Sequence, residues 1–235
     1  MLVTQLALAQ QTKYEKALPQ IERHNFKKMP KGWERTQVAE GDLNKDGLKD
    51  KAFFAVAPAV EHTYKSELGN SWYTTTSRNI VIAVYLRQAD KTYRRIVANT
   101  KLIEPFEIVS QEVVHFEDTP GVPTSTGCIA DINIKNGCLT LEAMDCAIGW
   151  YGVYKIRYRW QQGALSMINY WCRNVMQYKA TDVDWNLTTG QWVRYNDSED
   201  KVEETGFKKL RPLPTLQQTK SFELEQKEIR LALHE

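Results

Sequence analysis

An acidic loop with a regular spacing constrains this chain more than any other stretch of its sequence. It reads Gly41-Asp42-Leu43-Asn44-Lys45-Asp46-Gly47-Leu48-Lys49-Asp50. Calcium binds six to eight oxygen atoms, and a tight loop supplies them when alternate side chains turn inward. Gly47 stands where the chain must bend with a positive φ, which glycine adopts without a Cβ clash. The predicted ligands are the side chains of Asp42, Asn44, Asp46 and Asp50 and the main-chain carbonyl of Leu48.

The residues after the loop predict a β-strand rather than an EF-hand helix. An EF-hand requires a bidentate Glu at loop position 12, where this chain has Phe53. The stretch Lys51–Ala57 is apolar and ends before Pro58, as a buried strand does. A calcium loop that opens a strand resembles those of FG-GAP-type repeats in extracellular proteins. The alternative is a polar Asn/Asp/Gly turn without a metal. A cage of oxygen ligands leaves no position for a substrate, so we expect the calcium to be structural.

Composition limits the chain to an ordinary globular protein. The 235 residues are 42% hydrophobic and 26% charged, with a formal net charge of +2. We assign residues 12–235 to a single β-rich domain. No basic tract typical of nucleic-acid binding is present, so no nucleic-acid partner is expected.

The first eleven residues have two interpretations. Ala7-Leu8-Ala9 before Gln10 has the small-x-small form of a signal-peptidase site, which makes residues 1–11 the remnant of an export signal. The same residues also fit a plain apolar helix. The segment is too short to cross a membrane, so no integral membrane span is expected. Export agrees with a calcium site of the weak extracellular type, and we expect a periplasmic or secreted protein.

Paired strand patterns predict an all-β, mostly antiparallel meander of hairpins. The strongest hairpin signal is Asn136-Gly137 between two apolar runs. Whether the sheets form a sandwich, a closed barrel or blade-like layers is left open. A short helix is expected within residues 12–26, and a long polar excursion over Glu61–Ser77. The predicted hairpins pair Ile80–Arg87 with Tyr93–Ala98, Ile129–Ile134 with Cys138–Ala143, Val153–Trp160 with Leu165–Trp171, and Val183–Leu187 with Gln191–Tyr195.

The four cysteines form an even set in the middle of the chain, at positions 128, 138, 146 and 172. In an oxidising compartment they allow two disulfides in three pairings. A two-residue turn at Asn136-Gly137 brings Cys128 nearly opposite Cys146, which we predict as the bridge. No C-x-x-C motif occurs, which disfavours zinc and a thioredoxin-type redox pair.

Two groups of residues are candidates for ligand binding. Lys155, Arg157 and Arg159 alternate with apolar residues, so one strand face carries three cations. Such a row, centred on Arg157, accepts a phosphate or an acidic glycan, or it is simply the solvated side of a half-buried sheet. Trp72 and Tyr73 lie in the polar excursion, where aromatic rings can stack on sugars.

Several motifs together resemble a family of uncharacterised exported bacterial proteins. These are Pro30-Lys31-Gly32-Trp33 with the acidic loop, Ile134–Leu141, Tyr154–Arg159 and Asn186-Leu187-Thr188-Thr189-Gly190. The likeness runs from about Pro30 to Gln191. The chain departs from that family at Cys146-Ala147-Ile148-Gly149-Trp150, where a glycine-serine-tryptophan segment is common, and in its four cysteines. The resemblance supports export and the β fold and implies no chemistry.

The sequence favours a binding function, and an enzymatic function is the alternative. It has no H-E-x-x-H, no nucleophile elbow and no phosphate-binding glycine loop. We therefore expect an exported calcium-binding protein that binds a protein partner or a glycan at the bacterial envelope. The alternative is a polysaccharide or cell-wall hydrolase, whose two carboxylates are defined by their separation in space rather than in sequence.

Overall fold

A computed structural model of the chain describes most of its strands with their side chains and a few by their backbone only. The described residues are 13–23, 26, 29–65, 72–102, 106–110, 128–147, 150–176, 179–196 and 201–220.

Among these residues, strands dominate and the helical content is small, as predicted. The elements are α1 (Lys13–Ala17), β1 (Ile21–Glu22), β2 (Glu34–Gly41), β3 (Asp50–Val56), β4 (Val60–Lys65), β5 (Trp72–Arg78), β6 (Ile80–Arg87), β7 (Tyr93–Asn99), β8 (Phe106–Ser110), β9 (Cys128–Lys135), β10 (Cys138–Ala147), β11 (Trp150–Gln161), β12 (Ala164–Met176), β13 (Lys179–Asn186), β14 (Gln191–Asn196) and β15 (Lys201–Phe207).

The second half of the chain forms a seven-stranded meander in which every strand pairs with its sequence neighbour, in the order β15-β14-β13-β12-β11-β10-β9. The turn between β9 and β10 has positive φ at Asn136 (54°) and Gly137 (70°), as a type I′ turn requires. The predicted hairpin is therefore confirmed. The two central strands β11 and β12 extend beyond their predicted ends, to 12 and 13 residues.

The first half forms a five-stranded antiparallel sheet in the order β1-β7-β6-β3-β2. Strand β3 is buried over its whole length, and β6 is buried up to its last residue, so both faces of this sheet are covered. One face packs on the inner face of the seven-stranded sheet. The shared core includes Phe54, Ile82, Val84, Leu139, Leu141, Ile156, Tyr158, Met167, Trp185 and Leu187. The two sheets therefore form a sandwich.

The N-terminal segment covers the other face of the five-stranded sheet. Phe26 packs edge-on against Phe53 and Tyr85, with ring centroids 5.1 and 4.7 Å apart, and Leu18 joins the same cluster. The α1 helix is only five residues long and ends at Ala17, because Pro19 cannot continue it. The prediction of a helix within residues 12–26 is thus confirmed only for its first part. No helix in the described ranges is long and apolar enough to cross a membrane.

The residues after β15 return to join the two sheets. The buried side chain of Asn99, at the end of β7, donates hydrogen bonds to the carbonyls of Leu216 (2.6 Å) and Thr219 (2.7 Å). From the seven-stranded sheet, the hydroxyl of Tyr158 donates to Thr219 Oγ1 at 3.2 Å. Burial raises the pKa of Tyr158, which keeps the phenol protonated as a donor. This short segment therefore links the two sheets through polar contacts.

The predicted excursion over Glu61–Ser77 is wrong. Strands β4 and β5 occupy most of this range and form a three-stranded sheet with β8. The segment has no alternation of apolar residues, which is the signal that strand prediction depends on. Threonines 74 to 76 of β5 are β-branched, and β-branched residues favour an extended backbone without that alternation.

The contact between edge strands β2 and β9 gives a test of the sandwich. A Cβ atom on Gly41 would lie 2.5 Å from Ile134 Cγ2 and 2.8 Å from the Ile134 carbonyl oxygen. We expect Gly41→Ala to lower the free energy of unfolding by about 1–3 kcal/mol, the usual cost of overpacking. Urea denaturation measures this change. Val38→Ala on the same strand is the control, since Val38 is 44% exposed, and should change stability by about 0.5 kcal/mol or less. Equal stability of Gly41→Ala and wild type would contradict this packing.

Candidate metal loop and outer sheet face

Hydrogen bonds within the acidic loop hold it between β2 and β3. The Asp42 carboxylate accepts the amides of Gly47 (2.8 Å) and Asp46 (3.2 Å). Asp46 Oδ1 accepts the amide of Leu48 at 2.8 Å, while Asp46 Oδ2 accepts the side-chain amide of Asn44 at the same distance. These are the side-chain-to-backbone turns that Asp and Asn favour. Gly47 has φ +83°, and a Cβ there would meet no atom within 4 Å, so backbone conformation alone explains the glycine.

The last predicted ligand, Asp50, is buried and joins three segments of the chain. Its Oδ2 accepts the amide of Leu43 at 2.7 Å, and its Oδ1 accepts the amide of Arg87, at the end of β6, at 2.8 Å. Its side chain has no exposed surface. Burial raises the pKa of the Asp50 carboxyl, and the negative charges of Asp46 and Asp42 raise it further. The two amide hydrogen bonds act in the opposite direction. The ionised form of the Asp50 carboxylate is therefore energetically unfavourable in this loop.

The loop has the donor chemistry of a calcium site without a preformed cluster. In the part of the chain that the structure describes, no three His, Cys, Asp or Glu side chains are grouped so as to hold a metal ion. Asp42, Asp46 and Asp50 use their oxygens to bind backbone amides instead. Each carboxylate oxygen carries two lone pairs, so an oxygen that accepts one amide keeps the capacity to bind a cation. The four side chains and the Leu48 carbonyl supply only oxygen ligands, which suit calcium.

The loop also contacts the Asn136-Gly137 turn of the seven-stranded sheet. A Cβ on Gly137 would lie 3.2 Å from Lys45 Cε and 3.9 Å from the Asp42 carbonyl oxygen. Leu43 is 1% exposed and belongs to the core between the sheets. The loop is thus fixed on both sides, by Leu43 in the core and by Lys45 at the turn.

A second candidate site lies on the face of the seven-stranded sheet that points away from the core, here called the outer face. Strand β11 places Ile156 and Tyr158 in the core without exposed surface, and Arg157 and Arg159 on the outer face. This confirms the predicted alternation. The register aligns one row of side chains across five strands, in the order Asn133, Thr140, Arg157, Asn169 and Asn186.

Two adjoining hollows on the outer face share Arg157 and Arg159. The first has a volume of about 350 Å³ and is lined by Asn133, Lys135, Asn136, Cys138, Thr140, Glu142, Lys155, Arg157 and Arg159. The second, of about 410 Å³, is lined by Arg157, Arg159, Ile168, Asn169, Asp184, Asn186, Thr188 and Thr189. Both are open to solvent, and most of their lining side chains are polar.

A β-bulge shapes the second hollow. The pairing of β11 with β12 shifts from Arg157 opposite Asn169 to Tyr158 opposite Met167, which leaves Ile168 as an extra residue. Ile168 lines the hollow, and its carbonyl accepts the amide of Leu187 at 3.0 Å. A bulge increases the local twist of a sheet. The predicted hairpin contained no signal for this extra residue.

The side chains of the two arginines differ from those of Lys155 and Arg173 on the same outer face. Lys155 is paired with Glu142, and Arg173 lies 3.6 Å from Asp182. The guanidinium groups of Arg157 and Arg159 have no hydrogen bond or ion pair with any described residue. Around them, Asn169 donates to Asp184 Oδ1 at 2.7 Å, and Asn186 Oδ1 accepts the amides of Thr188 and Thr189, both at 3.1 Å. The arginines therefore lie among polar side chains whose positions are fixed by other contacts.

The remaining predicted site residues lie elsewhere. Trp72 and Tyr73 are at the start of β5, in the three-stranded sheet, and their side chains lie outside the described residues. The side chains of Cys128 and Cys146 are also outside them, so the proposed disulfide stays a prediction. The backbone register places Cys128 opposite Met144, because a bulge after Glu142 shifts the pairing. Cys138 and Cys172 are buried thiols.

Asn169, Asn186 and Thr188 were not predicted as members of this site. The signal for Asn186 and Thr188 was the Asn186-Leu187-Thr188-Thr189-Gly190 turn, since an Asn before a turn commonly accepts the amides that follow it. Asn169 had no signal of its own. Nothing in the sequence indicated that this turn lies beside Arg157.

The titration of Asp50 gives a test of the loop. Its pKa in the folded state is raised above the ordinary 3.8. The stability that this group contributes is therefore fully present below its unfolded pKa and is lost as the pH rises through the folded pKa. In the presence of a chelator, we expect the free energy of unfolding of the wild type to fall relative to that of Asp50→Asn as the pH rises through the folded-state pKa. Urea denaturation measures this difference.

Asp90→Asn is the matched control, because its pKa change has the opposite sign. Hydrogen bonds from Thr92 lower the pKa of the exposed Asp90. Its contribution should therefore be present above its unfolded pKa and be lost as the pH falls. A constant difference between wild type and Asp50→Asn across the pH range would contradict the assigned environment of Asp50.

Comparison of the chain with protein-family models, with curated proteins and with solved structures gives no match. The resemblance to exported bacterial proteins therefore stays a prediction.

Proposed function

We propose that this chain is an exported, calcium-stabilised β-sandwich that binds a glycan or a protein partner at the bacterial envelope and has no catalytic activity of its own. The observation that carries the binding function is the position of Arg157 and Arg159. Both side chains are exposed and line two adjoining hollows, and neither guanidinium group has a partner among the described residues. Each planar guanidinium presents five donors in a geometry that matches a carboxylate or phosphate group, which suits recognition of an anionic ligand.

The calcium part of the proposal is supported by the donor set and by the burial of Asp50. Asp42 and Asp46 place two further negative charges near this buried carboxylate, and their repulsion contributes to its raised pKa. A divalent cation bound among the three would remove that repulsion. Its role would be to stabilise the strand connection, since Asp50 ties the loop to β6 through Arg87.

Binding is favoured over hydrolysis by the state of the carboxylates in the hollows. A glycosidase needs one carboxyl group that donates a proton and a second that acts as nucleophile or base. Glu142 is ion-paired with Lys155, and Asp184 accepts a hydrogen bond from Asn169. Both carboxylates thus act as acceptors of hydrogen bonds or ion pairs, which suits a surface that orients a bound molecule.

We expect calcium to raise the melting temperature of the full chain. With about 10 mM calcium and a dissociation constant of about 0.1–1 mM, the gain in unfolding free energy is about 1.4–2.7 kcal/mol. Asp46→Ala should lower the melting temperature in calcium and abolish its dependence on calcium. Differential scanning calorimetry in calcium and in chelator measures both.

Asp90→Ala is the control, because it removes a carboxylate from the β6–β7 turn and leaves the acidic loop intact. It should keep the full calcium-dependent increase. Equal melting of the wild type in calcium and in chelator would overturn the calcium part of the proposal.

A further inference from the structure

We infer that the outer face binds an acidic glycan, with an anionic sugar held between Arg157 and Arg159 and neutral sugars on either side. This inference rests on the proposed binding function and names the class of its ligand. The shared chemistry is a carboxylate or sulfate group on a hydroxyl-rich chain.

The charges that line the hollows favour an anion at the centre. Lys135, Lys155, Arg157 and Arg159 contribute four cations, and Glu142 and Asp184 two carboxylates. Lys155 is already paired with Glu142. Lys135 and the two arginines have no ion pair with a described residue. The arginines alone carry planar guanidinium groups, which bind a carboxylate or sulfate through two parallel hydrogen bonds.

Neutral hydrogen-bonding groups flank the arginines along the transverse row. Asn133 and Thr140 lie on one side of Arg157, and Asn169 and Asn186 lie on the other. Neighbouring strands are about 4.8 Å apart, so the row extends about 19 Å across the sheet. Amide and hydroxyl groups donate and accept equally well, which matches sugar hydroxyls. An extended chain of several sugar units fits along such a row.

The flanking carboxylates disfavour a ligand with a charge on every unit. Asp131, Glu142 and Asp184 lie in the next row of the outer face, aligned through Lys155 and Trp171. A nucleic acid or a phosphorylated peptide would bring phosphates towards these carboxylates, where like charges repel. A glycan that carries an anion on alternate sugars places neutral hydroxyls there instead, and carboxylates accept hydrogen bonds from hydroxyls.

An aromatic side chain adds to the preference for sugars. Trp171 belongs to the row of Lys155 and Asp184 and is half-buried on the outer face. A partly exposed indole ring beside polar groups offers an apolar surface on which a sugar ring can pack. Asp184 is further held by Asn169, so its position next to this ring is fixed.

Isothermal titration calorimetry of the full chain in calcium tests the inference. The probes are oligosaccharides of hyaluronan and of keratan sulfate that is sulfated on alternate sugars only, a cello-oligosaccharide of equal length and oligo(dT). We expect the two acidic glycans to bind, and neither of the other probes to bind as tightly. Hyaluronan carries only carboxylates and keratan sulfate only sulfates, so their relative affinities tell a carboxylate ligand from a sulfated one.

The variants Arg157→Gln and Arg159→Gln should each weaken binding by about 10- to 150-fold, the value of a hydrogen bond to a charged group. Arg94→Gln is the matched control, because Arg94 is an exposed arginine on β7 of the other sheet and its loss changes the net charge equally. It should bind as wild type does. Thermal melts confirm that each variant is folded.

The possible failures are distinguishable. Binding of the cello-oligosaccharide as tightly as the acidic glycans would overturn the acidic class and leave the glycan-binding function standing. Acidic-glycan binding that both arginine variants retain would overturn the site. Tighter binding of oligo(dT) that depends on the same arginines would show a nucleic-acid site instead. A folded chain that binds none of the glycans overturns both the ligand class and glycan binding.

Discussion

The packing of the two large sheets on each other is the interaction on which the rest of the structure depends. The five-stranded sheet is apolar on both faces, because β3 and β6 carry Phe, Ile, Val and Ala on both sides. The seven-stranded sheet covers one of these faces, and the N-terminal segment with Leu18 and Phe26 covers the other. Of these two sheets, the seven-stranded one therefore keeps a large face in solvent. The position of Arg157 and Arg159 is a direct consequence of this layering.

The acidic loop lies where the two sheets meet at one edge. Asp50 binds amides from the loop and from the end of β6, while Lys45 lies against the Asn136-Gly137 turn. Asn136 and the adjacent Lys135 line the first hollow of the outer face. The proposed calcium site and the proposed glycan site are thus joined through a single tight turn. The acidic loop supports the position of that turn, and the turn supports one end of the outer face.

Much of the fold was predictable from local patterns. The alternation of Tyr154, Ile156 and Tyr158 with charged residues predicted which face of β11 is buried, and Asn136-Gly137 predicted a hairpin. The patterns failed where strands lack an apolar alternation. The strands β4 and β5 were assigned to a loop, and β2 was not recognised, since most of its residues are exposed and Gln37 forms a bulge with φ 46°.

The sequence by itself determined the strands of the meander, the conformation of their turns and the residue types of the acidic loop. These properties depend on neighbours within a few residues, so the chain carries them locally. Only the tertiary structure decided that Asp50 would accept the amide of Arg87, 37 residues away. It alone also aligned Asn133, Arg157 and Asn186 in one row. Such alignments follow from bulges and from the packing of whole sheets. The spacing of residues along the chain indicates neither the bulges nor the packing.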